Sequence, residues 1–132
     1  MNIVVDTSVI IAVITNEAHK EKLVQIAKGT ELIAASSLHW EIGNAFSAMF
    51  KRNRINLEQA MSALSAYRQI PIRYFDISLA LALELSHELN IYAYDAYVIG
   101  CAIERHSPII SLDNSLLEAS RKAGVKVVEV TL

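Results

Sequence analysis

Short β-like apolar runs alternate with longer helical patterns along this chain, and that alternation constrains its fold more than any other feature. Residues 2–5, 31–35, 71–75, 108–112 and 126–130 read as strands. Between them lie helical patterns at 8–14, 17–28, 78–89, 95–105 and 115–123. Two more occupy the middle: one carries apolar residues through Phe50 behind Ser36 or Ser37 as its expected cap. The other begins after Asn56, with Gln59 placed for a capping box. Gly29 and Gly124 stand where helices close. Strands separated by helices pair in parallel rather than as hairpins, so the expectation is an α/β fold. Its form is a three-layer αβα sandwich with a five-stranded parallel sheet. Strand order does not follow from the pattern.

At 132 residues the chain suits a single domain, 1–132, large enough for a proper core. Its apolar fraction of 53% and mean hydropathy of +0.32 are high for that size. Some apolar surface is expected to need a cover, which favours a homodimer or a partner chain. No apolar stretch approaches the roughly 20 residues a spanning helix needs, so no membrane association is expected. Cys101 is the only cysteine, which excludes an internal disulfide and suits a reducing cytoplasm. The opening, Met1 to Asp6, reads as a strand rather than a secretory leader. His19, His39, His87 and His106 have no zinc-ligand spacing. The net charge of −2 does not announce a polyanion binder, although Lys51, Arg52 and Arg54 form a basic cluster.

The chemistry lies in four acids far apart in sequence: Asp6, Glu41, Asp95 and Asp113. Asp6 and Asp113 follow apolar strand runs; Glu41 and Asp95 fall in or near the first turn of apolar helices. In a parallel sheet with helices on both faces, all four converge beyond the carboxyl ends of the strands. Clustered carboxylates repel one another until a cation compensates them, so the group reads as a site for Mg2+ or Mn2+. Phosphodiester hydrolysis suits such a site, because a hard cation polarises the phosphoryl oxygen and makes water more acidic. One ion or two are equally consistent with it. Ser8 and Ser111 accompany the strand-end acids, and Asn44 shares a helix face with Glu41 and Ser37. Tyr92, Tyr94 and Tyr97 surround Asp95, placed either for packing or for stacking on bases.

At these positions the chain resembles the PIN-domain family, and within it the VapC-type toxins. The resemblance is carried by Val4-Val5-Asp6-Thr7-Ser8, Glu41-Ile42-Gly43-Asn44-Ala45, Tyr94-Asp95-Ala96-Tyr97 and Ile110-Ser111-Leu112-Asp113, in that order. It implies a PIN-like fold and a magnesium- or manganese-dependent ribonuclease acting on single-stranded or loop RNA. It further implies dimerisation and an antitoxin partner. Asp6, Glu41, Asp95 and Asp113 become metal ligands or water activators, with Ser8, Asn44 and Ser111 in support. Many relatives carry Thr where Ser111 stands, and some carry a further acid where Asn114 and Ser115 stand. A second ion is then expected to be held weakly or only with RNA. The alternatives within the resemblance are an RNA-processing nuclease without an antitoxin, and a catalytically inactive RNA- or protein-binding module.

Overall fold

The computed structural model describes residues 1–130; the last two positions of the expected 1–132 unit lie outside the described residues. Five strands are present: β1 (Asn2–Val5), β2 (Glu31–Ala35), β3 (Ile72–Phe75), β4 (Ile109–Ile110) and β5 (Val127–Val128). The helices are α1 (Thr7–Ile14), α2 (Lys20–Ala27), α3 (Leu38–Lys51), α4 (Leu57–Arg68), α5 (Leu79–Leu89), α6 (Ala93–Arg105) and α7 (Asn114–Lys122). All strands run parallel, in the order β3-β2-β1-β4-β5.

Alternation along β1 divides the core in two. Ile3 and Val5 join a cluster with Ile10, Leu23, Ile42, Phe46 and Tyr67, which places α1 to α4 on one face. Val4 joins Ile33, Leu85, Ile99 and Leu116, which places α5 to α7 on the other. A sheet covered on both sides needs strands apolar in every position, and β1 is buried from Ile3 to Val5. The three-layer sandwich with its five-stranded parallel sheet is therefore present.

Local signals account for several boundaries. Asn56 and Gln59 form the reciprocal capping box at the start of α4. Gly29 and Gly124, at φ +80° and +79°, take the left-handed backbone just beyond α2 and α7. The Tyr67 hydroxyl sits 2.6 Å from that of Tyr74 and 2.8 Å from His39 Nδ1, tying α4 to β3 and α3. Burial, then the Tyr74 contact, pushes the Tyr67 phenol above its ordinary range.

The strand order fixes where a ligand fits. From β1 the chain steps outward through β2 to β3, then returns to the other side of β1 for β4 and β5. Connections leave β1 and β4 in opposite directions, so a crevice opens at their carboxyl ends.

Candidate active site

Asp6 is the first residue beyond β1, and its extended backbone (φ −102°, ψ 175°) lets the side chain cap α1. Oδ1 accepts from the Val9 N–H at 3.3 Å and from the Ser8 hydroxyl at 2.7 Å. Oδ2 accepts from the Ser111 hydroxyl at 2.7 Å. In turn, Ser8 Oγ accepts from the Leu112 N–H and Ser111 Oγ from the Asp113 N–H, both at 2.9 Å. Each hydroxyl has one proton, and each gives it to Asp6. The 3.4 Å approach of Ser8 Oγ to Ser111 Oγ is thus proximity rather than a further bond. Three donated hydrogen bonds favour the Asp6 anion, yet the residue is only 6% exposed. Burial wins, and its pKa rises from 3.8 to about 6.

Asp113 caps α7, where Oδ1 accepts from the Ser115 and Leu116 N–H groups at 2.9 and 3.3 Å. Asp6 and Asp113 thus each cap a helix at a strand exit.

The helices supply the other two acids. Glu41 stands in the first turn of α3 and Asp95 in the first turn of α6. Burial, followed by the charges of Asp6 and Asp95, raises Glu41 from 4.5 to about 7. The Thr7 hydroxyl faces it and opposes that rise, although it stops short of a good hydrogen bond. Asp95 is raised by burial and by the charge of Asp113, which also acts on Asp6. The repulsions form a closed ring, Asp6 to Glu41 to Asp95 to Asp113 and back. The four acids therefore lie within reach of one another's charge at the β1/β4 exit.

Among the described residues no Lys or Arg pairs with this ring: the ion pairs are Arg73–Glu31, Arg121–Glu129 and Lys122–Glu118. Uncompensated carboxylate oxygens are the donor set of a hard divalent cation, so the residues fit such an ion. Among the described residues, no three His, Cys, Asp or Glu side chains are drawn together as a finished cage.

The supporting residues divide. Ser8 and Ser111 bind backbone and Asp6 at once, whereas Asn44 is exposed on α3 and makes no side-chain hydrogen bond among the described residues. Ser37 occupies the cap position of α3, but its side chain makes no capping bond. Its backbone is already helical (φ −63°, ψ −13°), whereas a capping side chain needs an extended residue behind it. Ser36 does not cap either; its hydroxyl donates to Asp76 Oδ1 at 2.7 Å. Thr7 was not marked by the sequence pattern, although its place directly after Asp6 was the available signal.

The sequence matches the PIN domain family over residues 3–122. No curated protein matches it. Among solved structures, it is similar to PAE2754 from Pyrobaculum aerophilum, with a TM-score of 0.72 and 20% identity over 97% of this chain and 84% of that one. VapBC2 from Rickettsia felis, solved bound to a DNA fragment from its promoter, gives 0.71 and 17% over 97% and 98%. VapC20 from Mycobacterium tuberculosis, described as a sarcin–ricin loop cleaving toxin, gives 0.62 and 16% over 89% and 94%. At these identities the likeness shows the shared fold.

Proposed function

Because this chain belongs to the PIN-domain family, we propose that it is a metal-dependent endoribonuclease that hydrolyses phosphodiesters of single-stranded or loop RNA. The observation that carries this reading is the ring of four unpaired carboxylates at the β1/β4 exit. Asp6, Asp95, Asp113 and Glu41 would hold one or two magnesium or manganese ions. Bound there, the cation supplies positive charge for the phosphoryl oxygen and the leaving alkoxide, and it makes water more acidic.

The chain's own groups divide the remaining work. Glu41, in the first turn of α3 beside the other acids, suits the general base: it would take a proton from water as the water oxygen bonds to phosphorus. The bond from phosphorus to the leaving ribose oxygen breaks in the same displacement, and that oxygen is protonated from solvent. The clamp of Ser8, Ser111 and the Val9 N–H fixes Asp6, so its one remaining lone pair, on Oδ2, points one way through the reaction.

The biological setting proposed is the toxin of a toxin–antitoxin pair, working in the cytoplasm as a homodimer. Support comes from the VapBC2 and VapC20 neighbours and from exposed apolar side chains on α4 and α5. Leu57, Met61, Leu79 and Leu83 are each more than half exposed. No helix among the described residues is long and apolar enough to cross a membrane.

The test is cleavage of single-stranded and hairpin RNA with magnesium or manganese by the wild type, Asp6→Asn and Asp95→Asn. Cleavage that needs the ion and disappears in both variants is expected. Undiminished metal-dependent cleavage by either variant overturns the reading.

A further inference from the structure

Beside the acid ring, beyond the carboxyl ends of β2 and β3, a second cleft of about 360 Å³ has no part in the chemistry above. Ser36, Ser37, Trp40, Asp76, Tyr94 and Tyr97 form its walls. Helices α3 and α6 each contribute to both, since Trp40 precedes Glu41 and Tyr94 precedes Asp95.

Three features mark it as built for a ligand. Trp40 is 63% exposed and Tyr94 39% exposed, which leaves two aromatic side chains at its rim without a full cover. Exposed aromatics next to a polyanion site are stacking platforms for unpaired bases. Ser37 is only 8% exposed, and its hydroxyl has no partner in the protein, an arrangement that costs stability unless something else satisfies it. Asp76 is exposed and turned toward Ser36, whose hydroxyl occupies Oδ1. Its remaining acceptor sites are free, because a carboxylate accepts about four hydrogen bonds in all.

From this geometry we infer that the cleft is a base-specificity subsite that takes an unpaired guanine beside the scissile phosphate. The inference rests on the ribonuclease reading. Guanine alone among the four bases presents a ring N–H and an exocyclic amine side by side, two donors that match the two oxygens of a carboxylate. Adenine, cytosine and uracil place an acceptor next to each such donor, and Asp76 repels it. Trp40 and Tyr94 would stack on the base face.

Trp40 is the only tryptophan in the sequence, so its fluorescence reports on this cleft directly. The probes are neutral nucleosides, which carry no phosphate for the acid ring to repel and no phosphodiester to cut. Guanosine is expected to quench Trp40 with about tenfold tighter binding than adenosine, and inosine, which lacks the amine, to fall between them. Asp76→Asn is expected to erase that difference. With manganese, wild-type cuts in a mixed-sequence RNA are expected at a fixed offset from guanine, and Asp76→Asn cuts to lose that bias. Equal affinity for all nucleosides, no quenching by any, or quenching by an arginine-containing peptide alone each overturns the inference. Wild-type cleavage that depends on Asp6 and Asp95 but ignores guanine removes the subsite and leaves the nuclease. An absence of any cleavage removes the nuclease itself.

Discussion

The Ser111 hydroxyl donates to Asp6 Oδ2 at 2.7 Å across 105 positions of sequence and accepts the Asp113 N–H at 2.9 Å. One side chain thereby joins the exit of β1 to the exit of β4 and sets the separation of two acids. Ser111→Ala is expected to release Asp6 Oδ2, leave the Asp113 amide without its partner and weaken manganese binding about tenfold, as loss of a ligand's supporting hydrogen bond does. Ser111→Thr keeps the hydroxyl and is expected to stay close to wild type. Calorimetric titration with manganese checks both; equal affinity in wild type and Ser111→Ala counts against the clamp.

Metal-free stability is expected to fall with rising pH. Asp6 and Glu41 have raised pKa values, about 6 and about 7, against ordinary values of 3.8 and 4.5. Between those limits the folded chain holds protons that the unfolded chain has lost, so raising the pH favours unfolding. Above about pH 8 both states are ionised and the trend levels off. Thermal unfolding in EDTA should give a lower Tm near neutrality than at about pH 5, and Glu41→Gln should flatten the curve. A Tm that climbs through this window in EDTA contradicts the cluster.

The same protons must leave when a cation enters. Carboxylates bind a divalent ion in ionised form, so manganese binding at about pH 6.5 should release protons, and at about pH 8.5 almost none. Calorimetry in two buffers of different ionisation enthalpy measures the release. Glu41→Gln should lower it, because that acid is the more protonated of the two at the lower pH. A release that does not change with pH would place the ion elsewhere.

The placement of the candidate acids was readable because they sit at boundaries that local rules already mark. Asp6 and Asp113 end apolar runs and cap helices, and a parallel α/β arrangement brings such ends to one edge. What escaped depends on contacts between distant segments. Strand β4 was expected over 108–112 but keeps only Ile109 and Ile110 in the ladder. The Leu112 and Asp113 amides leave it for the hydroxyls of Ser8 and Ser111, a competition invisible to apolar periodicity. Helix α6 starts two residues ahead of Asp95, at Ala93, since Tyr92 with its extended backbone opens the helix in place of a polar cap. No local pattern joins Asp76 to Trp40, because pairing of β2 with β3 is what sets them on one cleft.

Gly43 and Gly100 turn one substitution into a test of the packing. Both are helical, and replacing glycine with alanine in a helix gains about 1 kcal/mol from backbone entropy. At Gly43, on the exposed side of α3, an added methyl meets nothing within 4 Å, so Gly43→Ala is expected to stabilise by about that amount. At Gly100 the methyl would stand 2.8 Å from Ile77 Cγ2, with Leu81 and Leu85 close behind. That atom branches next to the Ile77 backbone and cannot swing aside as a long side-chain end does. Overpacking of this kind costs about 1–3 kcal/mol, which outweighs the helical gain at most values in the range. Gly100→Ala is therefore expected to lower the denaturation midpoint while Gly43→Ala raises it. Urea unfolding of the two variants beside the wild type decides the matter: two stabilised proteins would mean that α6 does not press against Ile77 as closely as its glycine allows.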